Sequence, residues 1–232
     1  MRLGDNADIV VEAIPTGSLF EVDSEGLTIV SVDGYRLALR HESIDKKEGA
    51  ETFSFVVPGA ALSEVEKICS DVDEPASVTQ GARHVMFKVG DTMLVSRRLE
   101  GEFLAYRQAI PRNNTIHVEG DTRALLSSID RVSLIISDKL KSPLRCVFGD
   151  GLVSITTKTG IGDAADQCPI TGDGQELEIG FNNKDLMDAL KAAPADRLRL
   201  EFSSGVAPCV ILPAEGEENF IYMVLPVRLK AN

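Results

Sequence analysis

The sequence predicts an α+β protein made of two repeated domains, and three observations predict it. Short runs of β-type residues far outnumber helical ones, and several alternate apolar with polar side chains, the pattern of antiparallel sheets packed on one face. The pattern also repeats. Gly26-Leu27-Thr28-Ile29 and Gly151-Leu152-Val153-Ser154 each open a strand pair, and in both halves a later strand runs straight into a helix. The offset is roughly 125 residues, about one domain length. Between the halves lies Pro111-Arg112-Asn113-Asn114, a proline-plus-polar linker after Ile110. Domains are therefore expected at residues 1–112 and 113–232.

In chain order, the first half opens on residues 1–14. These hold Ile9, Val10 and Val11 but are too few for a strand plus a helix. A strand follows at 27–32, and another at 52–57, where Phe53, Phe55 and Val57 face one way and Thr52, Ser54 and Val56 the other. A helix at 60–69 gathers Leu62, Val65 and Ile68 or Cys69 on one side. Strands at 84–88 and 92–96 complete this half. The second half begins with a helix at 122–134, capped by Asp121 or Thr122 and carrying Leu125, Leu126, Ile129 and Val132. Strands at 144–148, 152–157 and 176–181 lead to a helix at 183–192, which opens after Asn182 and shows Leu186, Met187 and Leu190. Strands at 197–202 and 219–225 close the chain. The first half thus lacks the opening strand and helix that the repeat requires.

Composition narrows the function classes. No run of about 18 apolar residues is present to span a membrane, and Asp5 and Asp8 interrupt any leader-like apolar stretch, so a cytosolic protein is expected. Cys69, Cys146, Cys168 and Cys209 are scattered without a C-x-x-C pair and read as reduced apolar fillers, not zinc ligands. His41, His84 and His117 have no Cys or His at ligand spacing. The stretch Lys158-Thr159-Gly160-Ile161-Gly162-Asp163 has two glycines but not the Gly-Lys-Ser/Thr of a phosphate loop, and reads as a turn-rich connection. No paired carboxylates or nucleophile–base pattern stands out. The expectation is a non-enzyme without metal or cofactor. The net charge of −12 argues against nucleic-acid binding unless basic side chains are segregated onto one surface.

Two segments far apart carry the most information. Val32-Asp33-Gly34-Tyr35-Arg36-Leu37-Ala38-Leu39 is a turn followed by an extended run mixing a basic side chain with apolar ones. On its own it is simply strand–turn–strand. Tyr222-Met223-Val224-Leu225-Pro226-Val227-Arg228-Leu229 is an apolar end with Pro and Arg, unusual as mere surface. With Leu99-Glu100-Gly101-Glu102-Phe103-Leu104-Ala105-Tyr106-Arg107 between them, they resemble the bacterial sliding clamp, the β subunit of DNA polymerase III, from about Pro15 to Leu229. The chain looks like most of that family's second domain and all of its third.

The resemblance implies the DNA clamp fold, with antiparallel sheets outside and helices on the inner face. It also implies a groove for short linear motifs. One wall would hold Gly34, Arg36 and Leu37, with Val32 and Tyr35 differing from commoner family residues. The other would hold Met223, Val224, Leu225, Pro226, Val227, Arg228 and Leu229, with Pro208 nearby. Pro15, Leu104, Gln108 and Ala109 occupy groove positions where the family usually has other residues. Arg36 and Arg228 are expected to donate to the peptide. Lys67, Arg123, Lys184 and Lys191 on the helices would face duplex DNA, weakly, because Gly59-Ala60 and Ala13-Ile14 stand where contacts are commoner. The implied partners are encircled duplex DNA, the polymerase III α subunit, the clamp loader and other replication and repair proteins. A homodimeric ring is the family's form. The expectation for this chain is a fragment or truncated paralogue that keeps the groove without closing a ring. The alternative is a stand-alone peptide-binding module that competes for clamp partners.

Overall fold

The computed structural model describes residues 17–44, 52–70, 74–149, 151–173 and 176–229. Residues 1–14, read from the sequence as too few for a strand plus a helix, lie outside them, as does Pro15. The chain forms two compact units, Met1–Gly34 with Leu39–Tyr106, and Tyr35–Ala38 with Arg107–Asn232. The division falls a few residues ahead of the linker expected at 111–114.

In the first unit, β1 (Gly17–Val22) pairs antiparallel with both β2 (Leu27–Val32) and β4 (Phe53–Pro58). β3 (Arg36–Glu42) is shared: residues 39–42 belong to this unit and continue the sheet beyond β2. The β1–β4 register sets Phe20 opposite Phe55, and the two rings stack with centroids 5.3 Å apart. A second sheet of β5 (Ser77–Gln80), β6 (His84–Val89) and β7 (Thr92–Arg97) brings Phe87 edge-on to Phe20 at 6.2 Å. Helix α1 (Gly59–Ser70) follows β4 directly and leans Leu62 and Val65 on this aromatic core. No residue of α1 is fully buried, so the helix adds little of the unit's apolar burial.

A short helix α2 (Tyr106–Ala109) stands at the division. The second unit then holds two βαβββ repeats. The first is β8 (Ile116–Asp121), α3 (Thr122–Ser133), β9 (Leu144–Gly149), β10 (Leu152–Thr159) and β11 (Gly162–Gly172). The second is β12 (Leu177–Phe181), α4 (Asn183–Ala192), β13 (Arg197–Phe202), β14 (Cys209–Pro213) and β15 (Phe220–Val224). Each repeat lends its first strand to the other: β8 pairs with β13, and β12 with β9. Helices α3 and α4 bury Leu125, Ile129, Val132, Leu186 and Leu190 in one core with Phe148, Phe181, Phe202 and Phe220.

Both helix starts are fixed by the caps their sequences suggested. The Asp121 carboxylate accepts the Ala124 N–H at 2.7 Å, and Asn182 accepts from Lys184 and Asp185. The glycine-containing stretch at 158–163 is the tight turn of the β10–β11 hairpin, with Lys158 opposite Asp163 and Thr159 opposite Gly162.

Cys146, Cys168 and Cys209 are buried free thiols, and burial pushes their pKa values up, that of Cys146 to about 12. At neutral pH they are protonated apolar groups. A thiol reagent at pH 8 is expected to titrate Cys69 alone in the native protein and all four cysteines after denaturation. Rapid native reaction of a second thiol would contradict the burial.

Candidate peptide groove

The second unit brings two of the segments singled out above into direct contact. The Leu225 N–H donates to the Tyr35 carbonyl at 2.9 Å, so the stretch Tyr35–Ala38 lies against the end of β15. Leu37, Met223 and Val224 are buried and hold this junction from inside. What reaches the surface is Tyr35, 65% exposed, together with half-buried Leu225, Pro226, Val227 and Leu229 and exposed Arg228. The result is an apolar strip with one cation on it. Such a strip suits the Leu and Phe side chains of an extended peptide.

The strip is seated first of all by Gly180, a residue that the sequence reading passed over. The Val227 N–H donates to the Gly180 carbonyl on β12 at 2.9 Å. A β-carbon on Gly180 would come within 2.5 Å of the Val227 carbonyl oxygen and 2.8 Å of a Leu229 methyl. Only glycine permits that approach, and an isolated glycine inside a strand is the local signal for it. Tyr222 donates its hydroxyl to the Ala192 carbonyl at 3.1 Å, tying β15 to the end of α4. Pro208 is half-buried just before Cys209, which pairs with Val224.

Arg36 is engaged within the protein. Its guanidinium Nη1 lies 2.7 Å from Asp188 Oδ2, and its Nε lies 3.8 Å from Asp185 Oδ1, both on α4. Gln108 is exposed and Ala109 buried on α2. Val32, Gly34 and Leu104 belong to the first unit. Gly34 has φ +89° with open space around it, so the turn before Tyr35 asks for glycine by backbone conformation alone.

The four basic residues expected to face DNA divide. Lys67 is ion-paired with Glu64 at 2.7 Å and Lys184 with Asp138 at 2.9 Å, and each carboxylate partner raises its lysine's pKa. Arg123 and Lys191 are exposed. His117 faces the Asp173 carboxylate at 3.1 Å and His41 the Thr28 hydroxyl at 3.0 Å. Among the described residues no group of His, Cys, Asp or Glu could hold a metal ion, and no helix is long and apolar enough to cross a membrane.

Comparison with known proteins matches both units. The family model described as the DNA polymerase III beta subunit, central domain, matches residues 10–104, and that of the C-terminal domain matches residues 107–228. A beta sliding clamp of Staphylococcus aureus (strain Mu50) is 30% identical over 215 residues, covering 92% of this chain and 56% of the relative. The chain thus spans about half the length of the curated relatives it matches. A putative DNA polymerase III beta subunit from Eubacterium rectale superposes with a TM-score of 0.84 at 32% identity, covering 92% of this chain and 57% of that one. The sliding clamp of Bacillus subtilis superposes with 0.86 at 27% identity, covering 97% and 59%.

Proposed function

Because this chain belongs to the DNA polymerase III beta subunit family of sliding clamps and has the DNA clamp fold, we propose that it serves replication as a processivity factor without chemistry of its own. In this reading it takes the polymerase and other replication proteins by short linear motifs and thereby raises their local concentration at DNA. The observation that carries it is the Leu225–Tyr35 hydrogen bond, which joins two segments far apart in sequence beneath an exposed apolar strip. Tyr35, Leu225, Pro226, Val227, Arg228 and Leu229 supply the contact surface. Leu37, Met223 and Val224 support it. Val32, Gly34, Leu104, Gln108, Ala109, Pro208 and Pro15 are assigned to its surroundings through the family. The functional domains run over residues 1–112 and 113–232, and the protein acts in the cytosol.

The test is a fluorescent peptide with Leu and Phe anchors, titrated into the chain and its Tyr35→Ala and Arg228→Ala variants. Binding in the micromolar range is expected, about −8 kcal/mol, with roughly fivefold to tenfold loss in each variant. Folded protein that binds no such peptide would overturn the groove.

Contact with duplex DNA is proposed for Lys67, Arg123, Lys184 and Lys191, without sequence reading. The carboxylate partners of Lys67 and Lys184 favour a second reading, in which the groove works as a stand-alone module competing for clamp partners. Retention on nicked circular DNA but not on linear DNA supports the encircling reading. Equal, salt-sensitive binding to both supports the second.

A further inference from the structure

Arg36 was expected from the sequence to reach out to a bound peptide, and the geometry points to a different use. We propose that Arg36 is a positioning residue: held by Asp188 and Asp185 of α4, it fixes the backbone of Tyr35 and Leu37 as one wall of the groove and makes no charge contact with the peptide. The inference rests on the groove reading above.

Three observations carry it. The guanidinium is directed to α4, with 2.7 Å between its Nη1 and Asp188 and only about a third of the side chain exposed. Its sequence neighbours do the structural work of the wall, since the Tyr35 carbonyl receives the Leu225 N–H and the Leu37 side chain is buried. Helix α4 is itself anchored, by the Asn182 cap at its start and by the Tyr222 hydroxyl at the Ala192 carbonyl. A planar guanidinium engaged by two carboxylates of a capped helix therefore ties the strand segment to a fixed support. Lys184, on the same helix, makes its ion pair with Asp138 at 2.9 Å, so its ammonium is directed to that carboxylate.

The two roles predict opposite signs for one substitution. If Arg36 were a peptide contact restrained by Asp188, then Asp188→Asn would release it and strengthen binding of an acidic peptide. As a positioning residue it loses its support instead, and binding weakens whatever the peptide's charge. The experiment uses the full chain and two fluorescent peptides that share Leu and Phe anchors but carry either Asp or Lys beside them. Asp188→Asn is expected to weaken both by about threefold, the scale of a partly exposed ion pair. Asp188→Glu should restore most of the loss. In an Arg36→Ala background Asp188→Asn should add nothing, because the pair acts as a unit. Circular dichroism and the thermal midpoint should stay at wild-type values. Stronger binding of the Asp peptide by Asp188→Asn, or unchanged binding of both, would overturn the inference. If the wild-type chain binds neither peptide, the groove reading itself falls, and this inference with it.

Discussion

Replacing Gly180 by alanine is expected to cost the chain most of its peptide affinity while leaving its fold in place. The added methyl would sit 2.5 Å from a backbone oxygen, that of Val227, and 2.8 to 2.9 Å from the end of Leu229. A side chain could rotate away from such a clash, but a carbonyl moves only with its chain. β12 is the less mobile partner, since it is paired along its length with β9 and packs Ile179 and Phe181 into the core. Residues 225–229 follow the last strand and must be the part that yields. Overpacking of this kind costs about 1–3 kcal/mol. Displacing the strip breaks the Val227–Gly180 hydrogen bond and misplaces Leu225, Pro226 and Val227 together. A loss of tenfold or more in peptide affinity is expected, with the circular dichroism spectrum unchanged. Wild-type affinity in the Gly180→Ala variant would show that the strip is not held by this contact.

How far the fold was legible follows from how local its causes are. The caps at Asp121 and Asn182 act within three residues, and the apolar rows of α3 and α4 are read along one helix, so both helices stood out. Two of the strands that escaped notice lack such a signature. β14 is buried at all five positions and has no alternation. β11 spreads Asp163, Asp166 and Gln167 along an exposed stretch and buries little beyond Cys168 and Ile170. β8 does alternate, but His117 and Glu119 disguise it as a loop beside the linker. Its place depends on β13, far along the chain.

The candidate site divides in the same way. Its two segments were conspicuous as sequences, and their side chains were assigned to it as one set. The structure sorts that set by burial: Leu37, Met223 and Val224 face inward, while Tyr35 and the half-buried residues of the strip face out. No pattern in the sequence could pair Arg36 with Asp188, because 152 positions separate them and an aspartate on a helix surface is commonplace. Gly180 did carry a local signal, as a glycine between Ile179 and Phe181 inside a strand. What it admits became visible only with the strip laid against it.

Truncating Phe202 to alanine is expected to have the largest effect on stability and to separate folding from recognition. The ring is fully buried on β13, with its centroid 5.0 Å from that of Phe148, in the core shared by α3, α4 and both repeats. Removing a buried Phe side chain costs about 3–5 kcal/mol through lost transfer energy and the cavity left behind. A domain has about 5–15 kcal/mol in total. The second unit should therefore unfold at a markedly lower urea midpoint with an unchanged slope, and its thermal midpoint should fall by roughly 10 °C or more. If the alanine variant does not fold, Phe202→Leu should show a smaller shift in the same direction. The consequence for peptide binding is indirect. β13 supports β14, which pairs with β15, so the strip depends on this core only through the folded population. At low temperature, where the variant is still native, its peptide affinity should match wild type. The Gly180→Ala variant should be defective at every temperature. A destabilisation below about 1 kcal/mol for Phe202→Ala would mean that the core is not packed as described, whereas a binding defect at low temperature would mean that the strip is set from deeper in the unit than Gly180.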